Sequence, residues 1–396
     1  MTSPLLKTAA ILAAMSMVGP FAIDMYLPAL PAIAHDLKVP EVAVHNTITF
    51  YFIAVGLAQL IYGPWSDMVG RKLPIYVGLS IFAVGSLWAA MAPQIETLVM
   101  ARFLQGIGGA VTMVVPRAIV RDQYRGTEAT RLMALIMLVI SVSPMLAPLA
   151  GSGVIALVGW RGVFGVMVVA TVICLVLAAT AQPETLAKTD RVPINFRALL
   201  RGSKVLFRSR VFMGLTFIGA FGMGSFFVFI SFAPFVYAGQ YGLSPTQFSL
   251  LFAFNALGFF ATSQIAAPLS ERYGERRVMS VGTAGFAGFT ALLFVIALMG
   301  GANLWVLTAC LLIGNGFMGL VIPTSMVMAL EDHGDIAGLA SSMGGTLQML
   351  TGGALVLLAG PFFDGTATPM TGMIAFCAAI SFVLALTTLG ALKAAR

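Results

Sequence analysis

Charge is what this chain has least of. Asp, Glu, Lys and Arg make up 9% of its 396 residues, against about a quarter in a soluble domain, while 59% are hydrophobic. That balance, with a mean hydropathy of +0.97, excludes a soluble globule. Cysteine is scarce as well: Cys174, Cys310 and Cys377 all sit inside apolar runs, without a CxxC pair, which excludes a disulfide framework or a thiolate metal site. The three histidines, His35, His45 and His333, fall in or beside loops, so no metal site is expected. No GxxxxGK[ST] loop is present to hold a nucleoside triphosphate, and nothing resembles an enzyme's catalytic set. Alternating segments of about ten residues, the mark of a membrane β-barrel, are absent too.

What is there instead is a succession of apolar runs of about 20 residues, each long enough to cross a bilayer as a helix. They fall at 5–29, 43–63, 73–92, 98–120, 132–155, 162–181, 211–236, 246–268, 278–299, 303–329, 338–360 and 371–392. Lys7 followed by an apolar run imitates a signal peptide, but the run continues to Pro31 and a second follows, so an uncleaved first helix is expected. The net charge of +7 reflects topology and not a nucleic-acid surface. With the N-terminus inside, Lys7, Arg71, Lys72, Arg121, Arg125, Arg131, Arg272, Arg276, Arg277, Lys393 and Arg396 all fall on one side, and only Lys38 and Arg161 on the other. Both termini are therefore expected in the cytoplasm.

The longest polar stretch, residues 182–210, divides an N-terminal six-helix bundle (1–181) from a C-terminal one (211–396). It reads as a solvated basic linker carrying an amphipathic helix on the anionic leaflet. The halves echo each other. Gly63–Lys72 (GPWSDMVGRK) aligns with Ala267–Arg277 (APLSERYGERR), pairing Pro64 with Pro268, Asp67 with Glu271, Gly70 with Gly274 and Lys72 with Arg276. Gly106–Ala110 likewise aligns with Gly314–Gly319. A repeat of about 200 residues marks a two-bundle transporter whose substrate site lies between the halves near mid-membrane.

Three polar features stand out against this background. Asp24 is the one carboxylate well inside the first run, and a charge at membrane depth costs about 2.5–3.5 kcal/mol, so it marks a proton or substrate path by default. Arg102 sits about one turn into the fourth run and could share its level; a guanidinium favours the ionised carboxylate and burial the neutral one. In the loop Gly63, Asp67, Gly70, Arg71, Lys72, a small Gly63 would allow close helix packing, Gly70 the turn, and Asp67–Arg71 an i, i+4 pair, with Asp122 a second partner for Arg71. Arg117, in the cytoplasmic third of the same run as Arg102, reads as snorkelling to headgroups. Ser143, Ala147 and Gly151 form a small-residue stripe beside the helix-bending Pro144 and Pro148. Aromatics crowd the seventh and eighth runs, and Tyr26, Phe232, Asn255 and Gln348 are the candidate substrate contacts.

These pieces resemble the major facilitator superfamily. The Gly63–Lys72 loop is similar to its signature latch, Arg102–Gly106 to its second motif with an intramembrane arginine, and Ser143–Gly151 to the antiporter motif of its exporters. With DMYLPALP (Asp24–Pro31), PRAIVRD (Pro116–Asp122), GWRGVF (Gly159–Phe164), PETL (Pro183–Leu186) and IAGLASS (Ile336–Ser342), the likeness narrows to the bicyclomycin/chloramphenicol-resistance (Bcr/CflA) subfamily of drug:proton antiporters. The resemblance implies a monomeric protein of the bacterial inner membrane that uses protons as coupling ion, needs no cofactor and carries drug-like small molecules. Two departures stand against it: Ser143 replaces the usual glycine, and Ser16 replaces a second acid that some relatives carry, which argues for one proton per cycle and against cationic drugs. A proton-coupled importer of a nutrient and a receptor or scaffold without transport are the competing expectations.

Overall fold

The computed structural model describes residues 3–331 and 333–394, and these contain helices and no strand. Arg396, counted above among the cations of one side, lies outside the described residues. The helices are α1 (Ser3–Asp24), α2 (Leu30–Leu37), α3 (Glu41–Val69), α4 (Lys72–Ala90), α5 (Ile95–Gln123), α6 (Gly126–Val158), α7 (Trp160–Thr180), α8 (Phe196–Arg208), α9 (Arg210–Gly239), α10 (Pro245–Tyr273), α11 (Glu275–Leu298), α12 (Leu304–Glu331), α13 (Ala337–Ala359) and α14 (Ala367–Ala394). Among them are 12 stretches long and apolar enough to cross a membrane, the first spanning α1 and α2 together. Helix is what hydrocarbon demands, because each backbone N–H and C=O must find its partner within the segment.

The first crossing departs most from expectation. The sequence suggests one helix over 5–29; the chain instead completes α1 at Asp24, turns at Met25 and Tyr26, passes a single 3₁₀ turn at Leu27–Ala29 and restarts as α2, so the crossing runs on to Leu37. Pro28 and Pro31 each fall at the first or second position of a new helical piece, where a missing N–H costs nothing. They restart the helix and do not end the span. Asp24 is consequently the last residue of α1 at a break inside the crossing.

The chain divides into two compact units, Met1–Asn195 and Phe196–Arg396. In the first, α5 packs on α3, α4 and α1, α4 packs on α7, and α1 on α6; in the second, α12 packs on α10, α11 and α9, α11 on α14, and α9 on α13. The pairings correspond one for one, so the sequence echo is an echo of packing. Residues 182–210 are no independent linker: the part up to Asn195 belongs with the first unit and α8 with the second.

Close approach is set by α5. A Cβ at Gly106 would stand 2.6 Å from the Tyr51 carbonyl oxygen on α3, and one at Gly108 would strike the Phe82 nitrogen and stand 2.5 Å from the Gly78 oxygen on α4. In the second unit, Gly319 of α12 stands in for this against α10, where a Cβ would lie 2.5 Å from the Phe259 oxygen. Gly63, by contrast, would meet only Val114 at 4.0 Å, ordinary contact, so close packing is not what that glycine provides. Backbone against backbone leaves nothing flexible to yield. Gly108→Ala is expected to destabilise the protein by about 1–3 kcal/mol, the cost of overpacking, while Gly153→Ala, which meets nothing within 4 Å, leaves stability unchanged or slightly raised. Thermal unfolding in detergent, followed for the two variants side by side, checks the contrast.

Candidate functional site

Asp24 is 4% exposed, and its carboxylate Oδ2 accepts a hydrogen bond from Ser143 Oγ at 3.1 Å. The Ser143 hydroxyl gives the acid its partner. Two turns along α6, Gly151 presses against the Met25 carbonyl, so close that any Cβ would clash with backbone. The small-residue stripe of α6 thus packs on the break of the first crossing itself. Ala147, between the two, is fully buried. Pro144 and Pro148 both lie within the continuous helix α6.

Arg102 is completely buried and does not pair with Asp24. Its Nη1 donates to the Ala22 carbonyl at 3.1 Å, two residues before the acid, and also to Gln105 Oε1. Gln105 donates onward to Ser86 Oγ at 2.7 Å, which ties the guanidinium to α4. Aromatic faces complete the cage: the guanidinium carbon lies 4.3 Å from the Tyr51 ring centre, 4.6 Å from Tyr26 and 5.9 Å from Phe164. Such contacts are worth up to about 2 kcal/mol each when desolvated. Arg102 Nε and Nη2 remain without a hydrogen-bond partner among the described residues.

Tyr26, a candidate substrate contact, is fully buried in this cage, with its hydroxyl 2.8 Å from Thr47 Oγ1. The other three candidates belong to the second unit. Phe232 packs its ring 4.5 Å from that of Phe363. Asn255 donates to the Leu251 carbonyl at 3.1 Å and keeps a buried Oδ1 without a partner among the described residues. Gln348 lies beside Gly219. One turn before Asn255, Phe252 stacks on Phe229 at 5.6 Å.

The loop between α3 and α4 is a second centre. Arg71 is 2% exposed, and its guanidinium forks onto Asp122, Nε to Oδ2 at 2.7 Å and Nη2 to Oδ1 at 3.0 Å. Its Nη1 reaches Asp67 at 2.6 Å and Ser66 Oγ at 2.8 Å. Gly70, at φ 101°, makes the turn that L side chains resist. Lys72 extends its ammonium toward the Ala179 carbonyl and the Tyr76 ring.

Residues of the expected linker complete this centre, a role the sequence reading did not assign to them. Glu184 accepts the backbone N–H groups of Arg71 (2.9 Å) and Lys72 (3.2 Å) at the start of α4, as well as those of Thr185 and Leu186. Thr185 Oγ1 donates to Asp122 at 3.1 Å, and the Val192 N–H to the Asp67 carbonyl at 3.1 Å. A carboxylate on the amides that open a helix is well placed against the helix dipole. Burial alone would push the Glu184 carboxyl up, but the N–H groups of Arg71, Leu186, Lys72 and Thr185 outweigh it and hold it below the usual range. The counterpart loop of the second unit keeps the backbone only: Gly274 has φ 84° and its N–H bonds Ser270 as that of Gly70 bonds Ser66, yet Glu271 makes no ion pair among the described residues. At the opposite end of the first unit, Arg161 lies over Trp160 at 4.1 Å, and both donate to Asp36.

Glu184→Gln is expected to cost about 1 kcal/mol at neutral pH, an ordinary net hydrogen-bond contribution for a solvent-screened group. Because the folded-state value is depressed, that contribution is present above the unfolded value of about 4.3 and is lost as pH falls through the folded one. The gap in unfolding temperature between parent and variant should therefore close on acidification, as scanning calorimetry of the purified protein at a series of pH values would record. Arg71→Lys keeps the charge but loses the fork onto Asp122, and is expected to cost about 1.5–3 kcal/mol in the same measurement.

Comparison with known proteins places these centres in a family. The chain matches the Major Facilitator Superfamily profile over residues 12–357. It is 34% identical to the uncharacterized MFS-type transporter YdgK of Bacillus subtilis, covering 95% of this chain and 93% of that one. It is 30% identical to multidrug resistance protein D of Escherichia coli (86% and 85% covered) and 26% identical to the bicyclomycin resistance protein homolog of Haemophilus influenzae (93% and 92%). Among solved structures, a peptide transporter POT in complex with sulfate superposes with a TM-score of 0.77 at 15% identity, over 98% of this chain and 94% of that one, a likeness of fold alone. The chain belongs to the Major Facilitator Superfamily, among the relatives of the Bcr/CflA type, and is a membrane transporter and not an enzyme.

Proposed function

We propose that the protein is a proton-coupled antiporter of the bacterial inner membrane that exports hydrophobic or amphipathic small molecules as a monomer, with both termini in the cytoplasm. The names of its multidrug- and bicyclomycin-resistance relatives support cargo of that kind. The observation that carries the reading is the Asp24 carboxyl at the broken helix, 4% exposed, with a serine and no cation as its bonded partner.

The coupling follows from solvation. An ionised carboxylate without water or a cation costs several kcal/mol, so Asp24 releases its proton only when a conformational change brings one or the other. Arg102 is the nearby cation, anchored on Ala22 and holding N–H groups in reserve. Discontinuous helices are where transporters of this class place such sites, since irregular backbone is tolerated only beside protein or a cavity. Substrate and proton compete for the Asp24 region, so that loading one displaces the other. One neutral molecule out against one proton in moves one charge, worth about 2.3 kcal/mol per 100 mV. The Arg71–Asp67–Asp122 set is the conformational gate, made and broken as the units alternate.

Asp24→Asn retains an acceptor for Ser143 but cannot exchange a proton. In proteoliposomes with an imposed pH gradient, substrate-dependent proton movement by this variant is expected to fall to the level of protein-free vesicles. In cells, the parent protein should lower drug accumulation in a way that a protonophore reverses. Proton movement by Asp24→Asn equal to that of the parent would sink the assignment.

A further inference from the structure

We infer that α8 is a binding surface for acidic phospholipid, built from two stripes that the helix leaves uncovered once its third face is docked. The docked face is fixed by the second unit. Leu206 is fully buried in a cluster with Phe212 and Met343, and a Cβ at Gly202 would stand 2.6 Å from Leu339 Cδ2. A single residue, Ser209, separates α8 from α9, and its side chain accepts the Phe212 N–H at 3.2 Å. The helix is thereby held in one rotational setting.

That setting determines what the other faces meet. Arg197, Arg201, Lys204 and Arg208 follow one another at i, i+4, i+7 and i+11, and all are exposed. Phe196, Leu200 and Phe207, at i, i+4 and i+11, form the adjacent stripe and are 71%, 72% and 55% exposed. Large apolar side chains arranged in a row beside a row of cations are costly in water and suited to the boundary between headgroups and acyl chains. The helix is also at that level: α9, which begins at Arg210, is one of the membrane crossings. None of the four basic residues forms an ion pair among the described residues. With Arg210 they are five cations within residues 197–210, a stretch that holds no acid. Charge complementarity selects an anionic headgroup, and the apolar stripe selects a lipid that carries acyl chains with it.

The test compares lipids retained by the full-length protein after extraction from membranes of equal phosphatidylglycerol and phosphatidylcholine content, counted by native mass spectrometry. The parent is expected to retain phosphatidylglycerol preferentially. Each charge removed should reduce that preference by about fivefold, so the variant Arg197→Gln/Arg201→Gln/Lys204→Gln/Arg208→Gln should show none. Leu200→Ser/Phe207→Ser should lower retention of both lipids and keep their ratio. Neither set touches the docked face, so unfolding temperatures in phosphatidylcholine should match the parent's. A control, Arg125→Gln/Arg131→Gln, removes charge elsewhere and should keep the preference. A quadruple variant with the parent's lipid ratio, or a control that loses the ratio as fully, would overturn the assignment.

Discussion

A guanidinium buried among apolar spans has to be compensated, and here Arg102 is compensated without an acid. A backbone carbonyl, a glutamine side chain and three aromatic rings surround it. The carbonyl is Ala22's, in the last turn of α1 before the break, so the charge and the break are mechanically joined. Gln105 carries the same constraint to Ser86 on α4. Asp24 forms no ion pair among the described residues because Arg102 is held elsewhere, and on the proposed antiport cycle that separation would let the acid be neutral in one state and charged in another. Had the two closed into a salt bridge, the acid would have been locked ionised.

The Arg71 centre is compensated in a different way. Arg71 satisfies two aspartates and a serine at once, a use of the planar fork that lysine could not reproduce. Glu184 and Thr185 then close it from the chain that leaves the sixth crossing, and a Cβ at Gly70 would collide with that chain at 2.6 Å. Glycine is thus favoured twice over at position 70, for its φ and because a Cβ would push aside the Glu184 and Arg191 side chains. At Gly274, the repeat counterpart, only the first demand survives, because nothing lies within 4 Å of a Cβ there. The segment after α7 therefore makes the two loops unequal.

Much of this was legible in the sequence, because hydropathy and repeats are one-dimensional signals. The number of crossings, the correspondence of Gly70 with Gly274, and the Arg71–Asp122 pair could all be read from spacing and charge. What escaped depended on the third dimension. Pro28 and Pro31 look alike whether they stop a helix or restart one, and only the packing of Gly151 on Met25 shows which. Ser143 read as a departure from a motif, since nothing in its own span says that its hydroxyl meets a residue 119 positions away. Glu184 read as a solvated linker charge because exposed acids usually are; its role comes from the orphan amides at the start of α4, which sequence does not display. The aromatics of α9 and α10 pack largely on one another, so composition could not divide pocket from core.

Duplication preserved packing in this protein and let electrostatics diverge. The five pairings of the first unit recur in the second, down to glycines at the contact of α10 with α12. Yet the buried charged side chains among the described residues, Asp24, Arg71 and Arg102, all belong to the first unit, whereas the buried polar groups of the second are hydroxyls and amides such as Ser231, Asn255 and Asn315. A hydroxyl or amide can be left with one bond unmade at a cost of about 1–3 kcal/mol, while an uncompensated ion costs considerably more. The second unit can therefore change the shape of its aromatic interior with modest consequence, and the first cannot move without changing the solvation of a charge. On the proposed antiport, coupling would belong where displacement is electrostatically expensive, and tolerance of varied apolar cargo where it is not.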